Sequence, residues 1–235
     1  IDSANTLGEL TLGAVYSRSL SRAVEFASKN GCDYAYDDLD TIARSGVDAV
    51  YIASPNSLHY EQAKLFLSHG KHVICEKPAV VRPEQLLELH DLAHENGLVF
   101  MEAIMMLHQP CLKTVKDALS RLGRIDTARF DFSQYSSRYQ ALMDGELPNI
   151  FNPRFAAGCM MDLGVYVVYP ALYFFGRPRE IVTRARLLSS GADISFTSLF
   201  VYDDKHVVLT ASKASEDRIG SEILGDKGTM TIRTL

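Results

Sequence analysis

The first half of the chain alternates short strand-like runs with longer helical patterns, and this alternation restricts the fold more than any other feature. The strand-like runs, rich in Val, Ile, Tyr and Ala, lie at 12–17, 48–54, 72–77 and 98–103. The helical patterns lie at 21–30, 58–70 and 83–97. Two of them close on Gly70 and Gly97, because glycine adopts the left-handed helix cap at little cost. Strands joined by helical crossovers run parallel, so the sequence predicts an α/β domain.

After Gly123 the pattern changes to long segments of alternating polar and apolar residues. They lie at 125–137, 181–190, 193–203, 206–215 and 218–226, and the final GTMTIRTL is also strand-like. One helical segment, 158–176, interrupts them. It contains Gly164 and Pro170 and has a polar start, which argues against a membrane span. We expect this helix to pack on the sheet or between the domains. We therefore predict a Rossmann-like dinucleotide-binding α/β domain at 1–105 and an α+β domain with a large, mostly antiparallel open sheet at 106–235.

Both ends of the sequence are unusual for such a fold. A doubly wound nucleotide domain opens with a strand and a Gly-rich turn, whereas Ile1 reads as the middle of a helix, IDSANTLGE. We expect roughly 15–20 residues, a first strand and its phosphate-binding turn, to precede this sequence. The other end stops on a strand, so a C-terminal segment is also expected to be missing.

The composition narrows the classes of partner. The 235 residues carry a formal net charge of −5, with Lys and Arg scattered, so no nucleic acid partner is expected. No apolar run approaches the roughly 20 residues of a spanning helix and no signal peptide is visible, which favours no membrane association and a cytoplasmic location. The cysteines lack metal-ligand spacing and read as free thiols, with Cys75 and Cys159 as small buried residues; no metal is predicted.

The most informative stretch is IASPNSLHYEQAKLFLSHGKHVICEKP, residues 52–78. One strand ends where a proline breaks it, and the next ends in Glu-Lys-Pro; parallel strands place both ends at one edge of the sheet, where open α/β sheets bind ligands. The spacing thus directs a Ser/Asn/His loop and a Glu-Lys pair into one crevice. The candidate cofactor-binding residues of this crevice are Ser54, Pro55, Asn56, His59, Glu76 and Lys77. For His59, a cap on the following helix is an equal alternative.

A second constellation starts the long helix, Gly158-Cys-Met-Met-Asp-Leu-Gly-Val-Tyr166. Asp162 and Tyr166 are four residues apart and share one helix face, and a carboxylate in the first turn is favoured by the helix dipole. The alternatives are that Tyr166 packs in the core and that Asp162 is a simple N-terminal helix acid.

Together these elements resemble the Gfo/Idh/MocA oxidoreductase family. The strand ending in Ser-Pro, the His four residues after the Pro, G-K-H-V, E-K-P and the Asp-x-Gly-x-Tyr helix match its signature, with Cys159 where the family has a second Gly. Many members carry His at the last position, so Tyr166 aligns the chain with the branch of glucose–fructose oxidoreductase and dimeric dihydrodiol dehydrogenase. The resemblance implies catalytic roles for Lys77, Tyr166 and Asp162, with Lys77 beside the nicotinamide and Tyr166 as general acid/base. Because a phenol has a reference pKa near 10, it needs a cation such as Lys77 to act near neutral pH. A solvated lysine at a strand end is the alternative for Lys77.

The end of the first strand run, VYSRS, bears on the choice of cofactor. NAD sites place an acid there, whereas Ser17 and Arg18 offer a hydroxyl and a guanidinium to a 2′-phosphate, which favours NADP and leaves NAD possible. An exposed arginine at the loop is the alternative. Three residues are candidates for substrate binding: Glu102, His108 and Arg154. The Arg that the family has in this region is absent from the segment Met-Met-Leu-His-Gln-Pro.

We predict an NAD(P)-dependent oxidoreductase that transfers a hydride between nicotinamide and a hydroxyl or carbonyl carbon of a sugar, cyclitol or diol. The alternative is a non-catalytic NAD(P)-binding regulator of the same fold. Apolar residues alternating along DISFTSLFVY and HVVLTAS are expected on the open sheet face, where they would be costly to leave in water. With the family resemblance, this predicts a homo-oligomer, a dimer or tetramer built through that face.

Overall fold

The computed structural model describes residues 6 and 8–233, and these form two compact units. The first unit contains the chain up to Ser54 together with Leu58–Ala103; the second contains Pro55–Ser57 and the chain from Ile104 onward. The helix predicted at the start of the sequence falls mainly on residues 1–5 and 7, which lie outside the described part.

Parallel strands and crossover helices build the first unit, as predicted. Its strands are β1 (Val15–Tyr16), β2 (Ala35–Tyr36), β3 (Ala49–Ile52), β4 (His72–Cys75) and β5 (Phe100–Glu102). Its helices are α1 (Leu20–Lys29), α2 (Leu39–Ala43), α3 (Asn56–Ser68, whose first two residues belong to the second unit) and α4 (Pro83–Glu95). Strands β1 and β2 pair in parallel, and β3, β4 and β5 form a parallel sheet in that order. The carboxyl ends of β3, β4 and β5 therefore lie at one edge.

Helices α3 and α4 end as the sequence predicts. Gly70 and Gly97, which follow them, have φ of +72° and +65°. The core between helices and sheet contains Phe66 and Leu67 of α3, Leu89 of α4 and Val73 of β4, all essentially without solvent exposure. This packing holds α3 and α4 against the parallel sheet.

A six-stranded sheet dominates the second unit. Its strands are β6 (Ile125–Ser133), β7 (Glu180–Leu187), β8 (Asp193–Val201), β9 (His206–Ser212), β10 (Ser221–Gly225) and β11 (Gly228–Ile232), in the spatial order β11-β10-β6-β9-β8-β7. Neighbouring strands are antiparallel except for the parallel pair β6 and β9. The prediction of a mostly antiparallel sheet is thus confirmed. The described part of this unit also contains the α-helices α5 (Pro110–Ala118), α6 (Tyr139–Met143) and α7 (Cys159–Phe175).

Helix α7 lies on one face of this sheet and closes its core. Val167 and Ala171 of the helix pack with Phe130, Phe196 and Leu209 of β6, β8 and β9, and all five are buried. The helix continues through its internal proline without a break. The 158–176 segment is therefore a helix on the sheet, one of the two placements that the sequence allowed.

The apolar alternation of β8 and β9 faces this helix and not the open side of the sheet, so that part of the sequence interpretation was wrong. Ile194, Phe196 and Phe200 are buried on the helix side with Val207 and Leu209. A strand has a period of two, so the other face receives the intervening residues, which are mostly polar. Among the described residues, no helix is long and apolar enough to cross a bilayer.

Candidate active site

In the first unit, two carboxylates hold the loop that carries Lys77. The Glu76 carboxylate accepts hydrogen bonds from the Tyr51 hydroxyl and, at 3.3 Å, from the backbone N–H of Lys77. On the far side of Pro78, the backbone N–H of Ala79 donates to Glu102 Oε1 at 2.8 Å. The backbone on both sides of Lys77 and Pro78 is therefore tied to β3, through Tyr51 and Glu76, and to β5, so the half-buried lysine starts from a fixed main chain.

These carboxylates also affect their neighbours. Burial, together with the hydrogen bond to Glu76, raises the pKa of Tyr51 to about 12. Burial raises the pKa of the Cys75 thiol to about 12 as well, and the nearby Glu102 and Glu76 charges add to the shift. A thiol with this pKa stays protonated at neutral pH, so Cys75 is a small buried residue and not a nucleophile.

His59 links the two loops of the crevice. Its ring is fully buried, with Nδ1 2.8 Å from the carbonyl oxygen of Pro78 and Nε2 2.7 Å from that of Ser54. Both ring nitrogens thus face main-chain carbonyls, and His59 connects the end of β3 to the Glu-Lys-Pro loop. The Ser54 hydroxyl in turn donates to Gln62 Oε1 at 2.7 Å.

Asn56 follows Pro55 and belongs to the second unit. Its side-chain amide donates to the carbonyl oxygen of Ala156 at 3.0 Å, and Ala156 has a left-handed backbone with φ of +50°. This bond ties the first residue of α3 to the segment that leads into α7. Pro55 is half-buried beside it.

Arg18 and Ser17 stand at the end of β1 in the first unit. The side chain of Arg18 is exposed and borders a cavity of about 580 Å³ whose lining also includes Lys64, Gln62 and Leu58. Ser17 Oγ accepts a long hydrogen bond from the backbone N–H of Ser19, at 3.4 Å. Lys64 is paired with Glu88, and Glu61 also lines the cavity. Arg18 is therefore the cation that could bind a 2′-phosphate here.

In the second unit, Asp193 at the start of β8 caps the first turn of α7. The backbone N–H of Met160 donates to Asp193 Oδ2 at 2.7 Å, which satisfies one of the unpaired donors of the first helical turn. Gly158 has φ of +147°, and a Cβ there would lie 2.1 Å from Asp193 Oδ1. The glycine of the motif is therefore required by the close approach of this carboxylate. Burial, with the Asp193 charge, raises the pKa of Cys159 to about 12.

Tyr166 is held by its ring. It stacks on Phe132 of β6 with a centroid distance of 4.4 Å and an interplanar angle of 19°. Two residues earlier on the same helix, Gly164 lies against Phe196 of β8, where an added Cβ would be 3.5 Å from the ring. The stack fixes the plane of the half-buried phenol while leaving its hydroxyl edge away from the stacked ring face.

Asp162 lies one turn before Tyr166 and binds a lysine that the motif analysis missed. Lys213 Nζ forms an ion pair with Asp162 Oδ2. The side chain of Lys213 is only 3% exposed and that of Asp162 is 38% exposed. A signal for Lys213 exists in the sequence: residues 207, 209 and 211 face the helix, so the period of two places Lys213 on the buried side as well. Asp193 was missed because its bond to α7 joins elements 33 residues apart.

The remaining substrate candidates are less constrained. His108 ends a 3-10 turn and Arg154 lies in another, Pro153–Phe155, and both side chains are exposed. Within the described chain, no group of three or more His, Cys, Asp or Glu side chains is arranged to hold a metal ion.

Two family profiles match the chain in succession. Residues 2–104 match the oxidoreductase family with an NAD-binding Rossmann fold, GFO_IDH_MocA, and residues 113–231 match the GFO/IDH/MocA C-terminal domain. The chain belongs to the Gfo/Idh/MocA oxidoreductase family. The prediction of the family is thereby confirmed, together with its Rossmann domain and mostly antiparallel second sheet.

Individual proteins agree with this membership. The chain is 43% identical over 236 aligned residues to scyllo-inositol 2-dehydrogenase (NADP(+)) of Bacillus subtilis, covering 100% of this chain and 72% of the relative. It is 30% identical to trans-1,2-dihydrobenzene-1,2-diol dehydrogenase of Macaca fuscata fuscata, covering 92% of this chain and 64% of that protein. Among solved structures, an NAD binding oxidoreductase from Klebsiella pneumoniae superposes with a TM-score of 0.81 at 26% identity, covering 99% and 67% of the two chains.

Proposed function

We propose that the protein is an NADP-dependent dehydrogenase that oxidises a CH–OH carbon of a cyclitol, sugar or diol, or reduces the corresponding carbonyl. The observation that carries the proposal is the pair formed on α7, where Asp162 and Tyr166 lie one turn apart, the first fixed by an ion pair and the second by a ring stack. The relatives named above act on a cyclitol and a diol, which supports a vicinal polyol as the substrate class.

Each of the three proposed catalytic residues has a distinct task. Tyr166 passes a proton between its phenol oxygen and the substrate oxygen, and the ammonium of Lys77 stabilises negative charge that develops on that oxygen. Asp162 accepts a hydrogen bond from a neighbouring substrate hydroxyl. The nicotinamide, when bound, supplies the hydride chemistry.

The decisive experiment is an assay of the full-length protein with NADP⁺ against scyllo-inositol, trans-1,2-dihydrobenzene-1,2-diol and D-xylose. We expect absorbance of reduced cofactor to appear with at least one of them and to disappear in Lys77→Met. Lys71→Met is the matched control, because Lys71 lies at the opposite end of β4 and its ammonium donates to the carbonyl of Ser45. Tight NADPH binding without turnover on any polyol or carbonyl compound would instead favour the nucleotide-sensing regulator.

Cofactor preference gives a separate prediction. Arg18→Gln removes the guanidinium beside the cavity, so we expect the Kd for NADPH to rise by about 10-fold to 100-fold, the loss of a charge-assisted bond, with the Kd for NADH unchanged. Titration of nicotinamide fluorescence measures both constants. Arg22→Gln, in the first turn of α1 and also exposed, is the control. Equal weakening toward both cofactors would remove Arg18 as the reader of the 2′-phosphate.

We further infer a homo-oligomer, a dimer or tetramer, through the open face of the sheet. That face bears a cavity of about 510 Å³ lined by cations and anions together, and charges of both signs allow a surface to be complementary to a copy of itself. The edge strand β7 exposes Ile181 and Leu187 at 56% and 64%. The charged residues that line the cavity are Arg129, Asp131, Arg184, Arg186, Glu216 and Asp217.

This assembly is testable with one substitution. Thr197 is exposed in the middle of β8 and borders the same cavity, so Thr197→Arg is expected to convert the oligomer to monomers in sedimentation at micromolar concentration. Thr229→Arg, on the edge strand β11, should leave the oligomer intact. A wild-type monomer under these conditions contradicts the assembly. We also infer a cytoplasmic location from the four free thiols, which cell fractionation would test.

A further inference from the structure

Lys213 is a buried cation in the second unit, and it forms an ion pair with Asp162. Its residue exposure is 2%, and its ammonium lies 6.0 Å from the ring centre of Phe151. Lysine is almost never fully buried unless it is paired. This pair lies one helical turn from Tyr166. The burial of Lys213 therefore needs an explanation in terms of the site.

The backbone of Lys213 is fixed on two sides. Its N–H donates to the carbonyl of Ile194 at 2.9 Å, and its carbonyl accepts from the N–H of Ser136, also at 2.9 Å. It directly follows β9, the central strand whose residues 207, 209 and 211 are buried under α7. The stem of the lysine therefore starts from a rigid point, and the position of its ammonium is set by the sheet and not by solvent.

The exposure of the pair is strongly asymmetric. The lysine side chain is 3% exposed, whereas the aspartate side chain is 38% exposed. The cation thus approaches Asp162 from the interior, and the carboxylate keeps a solvent-facing side. A buried ion pair is weak evidence for a stabilising role, because the cost of removing two charges from water offsets much of their attraction.

We propose that Lys213 is a positioning residue for the polyol site: it fixes the Asp162 carboxylate in one orientation, so that its solvent-facing side accepts a hydrogen bond from a substrate hydroxyl. This inference rests on the proposed function and deepens it. Lys213 itself touches no reacting atom. It acts through Asp162 by restricting the carboxylate before the substrate arrives, since a displacement of about 1 Å in a substrate contact lowers the rate by about 100-fold.

A double-mutant cycle in the full-length protein tests the proposal. The variants are Lys213→Met, Asp162→Asn and the pair together, and the readouts are kcat, KM for the polyol, Kd for NADPH and Tm. We expect Lys213→Met to lower kcat/KM by about 10-fold to 100-fold with the Kd for NADPH unchanged. In the Asp162→Asn background the same change should cost no more than about two-fold, because the residue through which Lys213 acts is already altered.

A matched control and a conservative variant separate positioning from stability. Lys205 precedes the other end of β9, has a side chain 15% exposed and pairs with Asp204. Lys205→Met should therefore alter Tm without changing kcat/KM. Lys213→Arg keeps the charge and should recover part of the lost activity. If Lys213→Met fails to fold, the double variant, which removes both charges, is compared with Asp162→Asn alone: equal kcat/KM supports the proposal.

The contrary results are distinct from a failure of the proposed function. Wild-type kcat/KM in Lys213→Met, or a loss of more than ten-fold that persists in the Asp162→Asn background, would overturn the positioning role while leaving the dehydrogenase in place. Absence of turnover in the wild-type protein with every polyol would overturn the dehydrogenase and this inference with it.

Discussion

Replacing Tyr166 by Phe is expected to lower kcat by about 10²-fold to 10⁴-fold, the usual contribution of a general acid/base, while the Kd for NADPH stays the same. The substitution removes the phenol oxygen and keeps the ring. The stack on Phe132, with its 4.4 Å centroid distance, therefore survives, and the shape of the helix face is preserved. Steady-state kinetics with the best polyol and a fluorescence titration with NADPH measure the two quantities separately.

The control for this variant lies on the same helix. Tyr173 is two turns further along α7, is exposed, and contacts the ammonium of Lys116 at 4.1 Å from its ring centre. Tyr173→Phe should leave kcat unchanged, because this cation–π contact needs only the ring. If Tyr166→Phe keeps more than half of the wild-type kcat, the proton passes through another group and the core-packing alternative for Tyr166 stands.

The fold was largely predictable because the spacing of apolar residues identifies strands and helices in both units. Runs such as 72–77 and helical patterns such as 83–97 are long enough for their period to be read, and both lie where predicted. The nine-residue α5 was missed, and the other missed elements are short: α6 and α2 have five residues each and β2 has two. At that length neither period can be established, and pairing with β1 decides the conformation of Ala35 and Tyr36.

The facing of the second sheet was predicted less well. The alternation along β8 and β9 showed that one face is apolar, but the sequence carries no information on which face a distant helix covers. The 17 residues of α7 bury that face, and the open face receives the polar set. The expectation of an oligomer therefore rests now on mixed charge and on the exposed edge strand β7.

The candidate site was also predictable only in part. Asp162 and Tyr166 were predicted to share a helix face because four residues nearly complete a helical turn, and the loops after β3 and β4 were predicted to meet because parallel strands end at one edge. Contacts between distant segments were not predictable. His59 was interpreted as a ligand or a helix cap, whereas the carbonyls of Ser54 and Pro78 occupy both of its ring nitrogens.

The second large effect is expected from Gly158→Ala, which should lower the free energy of unfolding by about 2–4 kcal/mol. The backbone at φ +147° is one that L-residues rarely adopt, which costs about 1–3 kcal/mol, and displacing Asp193 would remove a helix cap worth about 0.5–2 kcal/mol. Because the new Cβ would lie 2.1 Å from Asp193 Oδ1, the carboxylate must move away from the N–H of Met160. Urea unfolding followed by circular dichroism measures the change.

Gly176→Ala separates the two contributions to that effect. Gly176 follows the other end of α7 with φ of +74°, but a Cβ there meets no atom within 4 Å. Gly176→Ala therefore measures the effect of backbone strain alone. We expect it to lower the free energy of unfolding by less than Gly158→Ala does, and the difference is the contribution of the lost cap. Asp193→Asn, which keeps an oxygen acceptor for the N–H of Met160, should be milder still. If the two glycine variants unfold at the same urea concentration, the Asp193 cap contributes nothing, and the glycine of the motif is required by its backbone conformation alone.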